Sequence, residues 1–135
     1  MMKLNVDYPS KEEELKIMQR MSDLNFKKST KTILNKKDIT AIQNEINKVS
    51  ISESIEKYII EIVNATRKPS SVKLNEFEDY ISFGASPRAS INLSLASKAN
   101  AFLSNRDYVM PDDVKEIAHD VLNHRIILNY EAEAE

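Results

Sequence analysis

Phe83–Ser90, with the sequence FGASPRAS, combines residue types that could bind an anion. It contains the only glycine of the chain, Gly84. Ser86 and Pro87 are typical of an N-cap and a first helical position, so they predict the start of a helix. Arg88 then falls in the first turn, where a cation faces the positive end of the helix dipole at a cost of about 0.3–1 kcal/mol.

An anion at this helix start would turn the unfavourable position of Arg88 into a favourable one. The backbone N–H groups at a helix N-terminus attract anions, and the arginine fork matches the geometry of phosphate. The same residues also fit a simpler interpretation, in which Gly84 forms a turn, Ser86 caps the helix and Arg88 is a surface charge. The spacing alone leaves both interpretations open.

Other common catalytic and metal-binding patterns are missing from the sequence. It has no cysteine and no glycine-rich phosphate loop, which excludes thiol chemistry and a P-loop within these residues. His119 and His124 are five residues apart, a spacing that does not place two ligands on one helix face. Adjacent carboxylates such as Asp112 and Asp113 are explained by capping of a helix first turn. No metal site is predicted.

The composition is that of one globular domain. The chain has 135 residues, 41% of them hydrophobic and 30% charged, with one glycine and four prolines. So few helix breakers favour helices over hairpins and barrels. A net charge of -2 gives no electrostatic reason to expect nucleic acid or an anionic membrane as a partner. We find no signal peptide and no membrane-spanning run, and a cytoplasmic location is expected.

The periodicity of apolar residues predicts one strand followed by five helices. Met1–Tyr8 alternates apolar and polar residues, as a strand does. Ser10 and Glu13 form one predicted capping box, and Ser50 and Glu53 form a second. The predicted helices extend from Ser10 to about Leu24, from Asn35 to about Val49, from Ser50 to about Arg67, from Ser86 to about Asn105, and from Pro111 to about Leu122. Arg125–Leu128 is a predicted short extended piece, and Asn129–Glu135 is a predicted frayed tail.

The predicted helices carry apolar faces that we expect to be buried. The helix from Ser86 has apolar residues on more than one face and several small residues, which predicts a central position in a bundle. The residues expected inside are Leu15, Ile17, Met18 and Met21 in the first helix; Ile39, Ile42, Ile46 and Val49 in the second; Ile55, Tyr58, Ile59, Ile62, Val63 and Thr66 in the third; Leu93, Leu95, Ala96, Ala99, Phe102 and Leu103 in the fourth; and Val114, Ile117, Val121 and Leu122 in the fifth.

Together these elements predict an all-α helical bundle preceded by one short N-terminal β-strand. The predicted organisation is a strand and link over residues 1–9, a helical domain over residues 10–128, and an acidic tail over residues 129–135.

Four stretches of the sequence resemble the C-terminal lid of MoxR-type AAA+ ATPases, relatives of the magnesium chelatase ATPase subunit. GASPRAS at residues 84–90 and NRDYVMPDDVKEIAHDVLNHRI at residues 105–126 are specific in combination. Upstream, NVDYPSKEEEL at residues 5–15 resembles the exit from the last strand of the ATPase core, and IEKYIIEIVNATR at residues 55–67 resembles the preceding lid helix. The resemblance covers nearly the whole chain.

The resemblance implies a role in ATP binding and hydrolysis. Arg88 corresponds to the sensor-2 arginine, which lies near the γ-phosphate of ATP, with Ser86 and Ala89 on the phosphate side. The Walker A and Walker B segments, sensor 1 and the arginine finger of the family's core are not in this sequence, and the family usually continues with another helix. We therefore expect a fragment that binds no ATP or Mg²⁺ by itself, from a full-length ATPase that uses both.

The resemblance also implies partners: an ATPase core, neighbouring subunits of a hexameric ring, and von Willebrand factor A domain proteins, in chaperone-like remodelling or assembly. Nucleic-acid binding and membrane insertion are not expected. Arg67 and Arg106 are weaker candidates than Arg88 for the phosphate contact. Arg67 lies at the C-terminal end of a predicted helix, and Arg106 could tie down the loop before Tyr108. Two other hypotheses stay open: a helical protein-interaction domain with no nucleotide role, and a small helical DNA-binding domain.

Overall fold

A computed structural model describes residues 2–23, 26 and 30–134 of the chain. The described residues form six α-helices, two single-turn 3-10 helices and a two-stranded antiparallel sheet. In chain order the elements are α1 (Lys11–Met21), α2 (Lys36–Lys48), α3 (Glu53–Ala65), 3-10 helices at Pro69–Val72 and Asn75–Phe77, β1 (Ile81–Phe83), α4 (Pro87–Leu103), α5 (Pro111–Leu122), β2 (Ile127–Leu128) and α6 (Tyr130–Ala134). The predicted helical bundle and the order of its first five helices are confirmed.

The core lies between α3, α4 and α5. The apolar stripes of α3 and α5 are buried as their spacing predicts, because residues three and four apart share one helix face. The loop residue Val109 and the residue Val49 after α2 close the core at one end. The buried apolar residues are Val49, Ile55, Ile59, Val63, Ala85, Ala89, Leu93, Ala101, Val109, Val114, Ile117, Val121 and Leu122.

Helix α4 is central, as predicted, and packs against α2, α3 and α5. Its buried residues Ala89, Leu93, Ser97 and Ala101 are spaced by four and form one line along the helix. Because three of these four side chains are small, the neighbouring helices can approach closely. The predicted burial of Leu95 and Leu103 is wrong: the two side chains are 53% and 77% exposed, since they lie off this line.

The connection from α3 to α4 ends in a strand. β1 pairs with β2 through Ile81 opposite Leu128 and Phe83 opposite Ile127, with an irregular register between them. The short extended piece predicted at Arg125–Leu128 is thus confirmed, and its partner is the segment that leads into α4. Next to this sheet, the Asn129 N–H donates to the Tyr80 carbonyl at 2.9 Å.

The N-terminal segment does not form the predicted strand. Residues 2–9 have no assigned secondary structure, and the Lys3 N–H donates to the Asp120 carbonyl of α5 at 2.8 Å. A strand requires a hydrogen-bonded neighbour, and no strand of the described residues lies beside this segment. Its apolar residues are therefore exposed, with Val6 at 92% and Tyr8 at 99%.

Helix α1 also lacks a buried face. Its Ser10–Glu13 capping box is confirmed, with the Ser10 N–H donating to the Glu13 carboxylate at 2.9 Å. None of its residues is buried, so the predicted burial of its apolar stripe is wrong. The stripe residues Leu15, Ile17, Met18 and Met21 are between 49% and 63% exposed, because the described chain provides no surface to cover them.

Two further predictions are corrected at helix ends. Ser52, and not Ser50, caps α3, accepting a hydrogen bond from the Ile55 N–H at 3.4 Å. Ser50 instead forms an isolated parallel bridge with Tyr108. The tail predicted to fray forms α6, because the Asn129 side chain accepts a hydrogen bond from the Ala132 N–H at 2.8 Å.

Some predictions fall outside the described residues. They are the strand position of Met1, the end of the first helix at Leu24, and the last tail residue, Glu135.

Candidate functional site

The anion-binding segment predicted from the sequence lies between β1 and the start of α4. Ala85 is fully buried, whereas Ser86, Pro87 and Arg88 are exposed. Ser86 has the extended backbone of an N-cap, with φ -76° and ψ 168°, and Pro87 is the first helical residue. The predicted start of the helix is therefore confirmed, and Arg88 occupies its second helical position.

Gly84 is required by a close backbone approach. A Cβ atom at this position would come within 2.6 Å of the Thr66 carbonyl carbon and 2.7 Å of the Arg67 Cα, and nearer still to the Thr66 carbonyl oxygen. Real Cβ atoms essentially never approach other heavy atoms so closely. The backbone of Gly84 has no positive φ. Glycine stands here because the segment before α4 packs against the end of α3, and not because a turn needs a left-handed residue.

Two side chains at the end of α3 bind the backbone of Ala85. The Thr66 hydroxyl accepts a hydrogen bond from the Ala85 N–H at 2.9 Å. The Arg67 Nε donates to the Ala85 carbonyl at 2.6 Å. We call Thr66 and Arg67 the α3 clamp. Since Ala85 is fully buried, water cannot replace these two bonds, and the clamp satisfies both backbone groups of the residue.

The N-terminus of α4 has groups free to bind a ligand. The Ser86 side chain makes no capping hydrogen bond. In the described part of the chain, neither the guanidinium nor the backbone N–H of Arg88 has an acceptor; the Arg88 carbonyl accepts from the Asn92 side chain at 2.8 Å. By contrast, side chains of Ser10, Asn35 and Ser52 cap α1, α2 and α3.

Ala89 differs from its two predicted site partners. Its side chain is fully buried in the core, and its N–H donates to the Ser86 carbonyl at 2.8 Å. The structure therefore places Ser86 and Arg88 at an exposed helix start, and Ala89 beneath it.

Arg106 belongs to a separate structural network at the start of α5. Its guanidinium donates to the two carboxylate oxygens of Asp113 at 2.6 and 2.7 Å, and to the Tyr108 carbonyl at 3.3 Å. Asn100 donates to the same carboxylate at 3.2 Å, and the Met110 N–H donates at 2.8 Å. The prediction that Arg106 ties down the loop before Tyr108 is confirmed.

These contacts shift the pKa of both charged partners. The hydrogen bonds from Arg106 hold the pKa of Asp113 below its ordinary value, against the opposing effect of burial. The hydrogen bond to Asp113 in turn raises the pKa of Arg106. The ion pair is fully formed at neutral pH, and its role is to fix the loop between α4 and α5.

Sequence reasoning missed the contacts of the α3 clamp. The sequence predicts Thr66 on a buried face and Arg67 at a helix end, but it does not predict that either residue binds Ala85. The signal in the sequence was the lone glycine, because a glycine beside a helix start indicates either a turn or a close approach. Only the three-dimensional packing distinguishes these two causes.

Two further features were sought among the described residues: clusters of metal-binding side chains and helices that could span a membrane. Over residues 2–23, 26 and 30–134, no group of three or more His, Asp or Glu side chains could hold a metal ion. Within the same residues, no helix combines the length and apolar character needed to cross a bilayer.

Comparison with known proteins identifies this helical arrangement. The family described as the AAA lid domain matches residues 75–135, which include the candidate site and everything from the second 3-10 helix onward. The chain carries an AAA lid domain of the MoxR type. The chain is 39% identical over 133 residues to the chaperone MoxR1 of Mycobacterium tuberculosis, and 38% identical over 133 residues to the uncharacterized protein YeaC of Bacillus subtilis. Each alignment covers 98% of this chain.

A solved structure shares both the fold and much of the sequence. It is the crystal structure of a candidate ATPase from Cytophaga hutchinsonii, with a TM-score of 0.89 and 57% sequence identity over 99% of this chain. The chain spans 35% of the length of MoxR1, 39% of YeaC and 41% of the solved chain. The lid resemblance read from GASPRAS and residues 105–126 is therefore confirmed, and this region is the lid of a MoxR-like protein.

Proposed function

We propose that this chain is the nucleotide-sensing lid of a longer MoxR-like ATPase, and that Arg88 is its sensor-2 arginine. The observation that carries the proposal is the start of α4, where the exposed Arg88 side chain has no partner among the described residues and stands beside a helix N-terminus that the Ser86 side chain does not cap. The similarity to a candidate ATPase and to a MoxR chaperone supports the same assignment.

The free groups at the start of α4 suit phosphate oxygens. The guanidinium of Arg88 provides a planar set of donors, and its backbone N–H adds one more beside the positive end of the helix dipole. The exposed Ser86 hydroxyl could donate a further hydrogen bond. With ATP and Mg²⁺ bound to the core of the longer protein, Arg88 would lie against the γ-phosphate and stabilise the charge that develops during its transfer.

The lid would then link nucleotide state to the movement of a rigid body. Because α3, α4 and α5 share one core, a displacement at the start of α4 would move the three helices together. In a ring of such subunits, which we propose to be hexameric, this motion would drive chaperone-like remodelling or assembly of partner proteins, including proteins with von Willebrand factor A domains. The exposed apolar residues of segment 2–8 and of α1 would contact the ATPase core.

The test measures ATP turnover by the full-length protein with Arg88→Ala, Arg88→Lys and a matched control. Lys37 occupies the second position of α2, as Arg88 does in α4, but Asn35 caps that helix. Lys37→Ala therefore removes an exposed cation from the same helix position without a phosphate role. We expect Arg88→Ala to lower turnover about tenfold or more, equivalent to roughly 1.4 kcal/mol of barrier, with unchanged folding and oligomeric state.

Arg88→Lys should recover only part of the loss, since an ammonium group cannot reproduce the two-pronged geometry of a guanidinium. Lys37→Ala should leave turnover unchanged. Equal turnover of Arg88→Ala and the wild type would reject the sensor-2 assignment.

A second candidate function is a helical protein-interaction domain without a nucleotide role. The observation that favours it is the apolar stripe of α1, whose residues are all exposed. In that case Arg88→Ala would be silent, while Leu15→Glu and Met18→Glu together would abolish binding to a partner protein. The response of ATP turnover to Arg88→Ala therefore separates the two functions, because the apolar stripe of α1 would contact a protein surface in both.

A further inference from the structure

The start of α4 is attached to the rest of the lid by very few polar contacts. The Ser86 side chain does not cap the helix, and the Arg88 side chain has no partner in the described part of the chain. Immediately before them, the N–H of the buried Ala85 donates to the Thr66 hydroxyl, and its carbonyl accepts from the Arg67 Nε. The end of α3 thus holds the residue from which α4 begins.

The orientation of the Thr66 hydroxyl is also determined by α3. Its hydrogen is donated to the Val63 carbonyl at 2.7 Å, which leaves a lone pair directed to the Ala85 N–H. Gly84 makes the contact tighter, because only glycine allows its backbone to lie against that of Thr66 and Arg67. A backbone contact and two hydrogen bonds therefore fix one point of the chain, three residues before Arg88.

We propose that Thr66 and Arg67 are positioning residues for Arg88, through which the end of α3 sets where the guanidinium lies. This inference rests on the proposed function, because it assumes that Arg88 binds a phosphate of ATP. Without the clamp, the segment from Ala85 to Pro87 could shift relative to the core. Displacing a catalytic group by about 1 Å can cost on the order of a hundredfold in rate, so a small shift would be visible in turnover.

The main test is a double-mutant cycle in the full-length protein between Thr66→Val and Arg88→Ala. Valine has nearly the shape of threonine but cannot accept the hydrogen bond from Ala85. Thr66→Ser retains the hydroxyl and serves as the rescue variant. Thr40→Val is the matched control, since the Thr40 hydroxyl also bonds a helix carbonyl, that of Lys36 at 3.1 Å, but on the exposed surface of α2.

We expect Thr66→Val to lower the turnover number about tenfold, which corresponds to about 1.4 kcal/mol of barrier. The fold-change in KM for ATP should be smaller than the fold-change in the turnover number. Thr66→Ser should restore most of the turnover, and Thr40→Val should match the wild type. In the Arg88→Ala background, Thr66→Val should cause no further loss, because a residue that acts through Arg88 has nothing left to position. A purely structural effect of Thr66→Val would persist in that background.

A second pair of variants keeps the inference testable if Thr66→Val does not fold. Arg67→Met removes the donor to the Ala85 carbonyl, and Lys68→Met, at the next residue, removes an exposed cation instead. Arg67→Met should lower turnover in the wild-type background only, and Lys68→Met should be silent in both.

The outcomes distinguish the inference from the function on which it rests. If Arg88→Ala leaves turnover unchanged, the proposed function is rejected, and the positioning role is rejected with it. If Arg88→Ala lowers turnover but Thr66→Val and Arg67→Met do not, only the positioning role is rejected. If the losses from Thr66→Val and Arg88→Ala multiply, Thr66 acts independently of Arg88, which also overturns the inference.

Discussion

The Arg106 guanidinium and the Asp113 carboxylate are joined by two hydrogen bonds of 2.6 and 2.7 Å, and the carboxylate is almost completely buried. This pair connects the loop after α4 to the first turn of α5. Because Asp113 also accepts from the Met110 N–H and from Asn100, its charge is compensated on several sides. The pair therefore fixes the loop between two core helices.

We expect Asp113→Asn to lower the free energy of unfolding by about 2 kcal/mol at pH 7, because hydrogen bonds to charged groups contribute roughly 1.5–3 kcal/mol. Urea unfolding of this chain measures the change. Asp112→Asn is the matched control, since the Asp112 side chain is 80% exposed and pairs with Lys115 on the same helix. The control should change stability by less than about 0.5 kcal/mol.

The same pair predicts a dependence of stability on pH. The pKa of Asp113 is lower in the folded chain than in the unfolded chain. Its contribution is therefore complete above the unfolded pKa of about 3.9 and is lost as the pH falls through the folded pKa. The stability difference between the wild type and Asp113→Asn should narrow below about pH 4. A difference that stays constant from pH 7 to pH 2 would contradict this role of the carboxylate.

Gly84→Ala should destabilise the chain even though the glycine backbone is ordinary. The added methyl group would overlap the backbone of Thr66 and Arg67, which cannot move without displacing the end of α3. We expect a loss of about 2–3 kcal/mol in the free energy of unfolding, at the upper part of the range for overpacked sites. Ser82→Ala, in the exposed part of β1, is the control. Equal stability of Gly84→Ala and the wild type would mean that the contact is loose.

Local sequence signals predict the helices of this chain, whereas contacts between residues distant in sequence depend on the three-dimensional packing. Helix α5 was predicted with its buried stripe, because its apolar spacing and its Pro-Asp-Asp start are local signals. The contact of Gly84 with Thr66 joins residues 18 positions apart, and no local pattern encodes it. Helix α1 shows the opposite case. Its sequence contains an apolar stripe, but burial also requires a neighbouring surface, which the described chain does not provide.

In the candidate site, the position of the helix start is encoded locally, whereas the contacts that hold it depend on tertiary packing. The positions of Ser86 and Arg88 at the helix start follow from the Ser-Pro pair, which sets the helix boundary locally. The missing cap at Ser86 and the binding of Ala85 by Thr66 and Arg67 depend on how α3 and α4 pack. Sequence reasoning therefore found the residues that would meet a ligand but missed the residues that hold them.

The two serine N-caps of α3 and α4 should respond differently to alanine. Ser52 accepts a hydrogen bond from the Ile55 N–H, whereas the Ser86 side chain makes no such bond. We expect Ser52→Ala to lower the free energy of unfolding by about 1 kcal/mol and Ser86→Ala to change it by less than about 0.5 kcal/mol. Thermal and urea unfolding of both variants measure the contrast. Equal losses would show that the Ser86 hydroxyl caps α4 in solution.

Ser97 offers a test in which removal of a polar group should stabilise the chain. It is fully buried on the core line of α4, and its hydroxyl has no hydrogen-bond partner in the part of the chain that the structure describes. A buried polar group without a partner costs about 1–3 kcal/mol, and alanine is also the better helix former.

We therefore expect Ser97→Ala to raise the free energy of unfolding by about 1 kcal/mol. This net gain already includes a small loss, because the van der Waals contacts of the hydroxyl oxygen disappear. Ser94→Ala is the control, since Ser94 lies on the same helix and is only half-buried. Its change should reflect helix propensity alone, about 0.5 kcal/mol. A clear loss of stability in Ser97→Ala would mean that the hydroxyl is hydrogen-bonded in solution, and that Ser97 contributes to the packing of α4 through a polar contact.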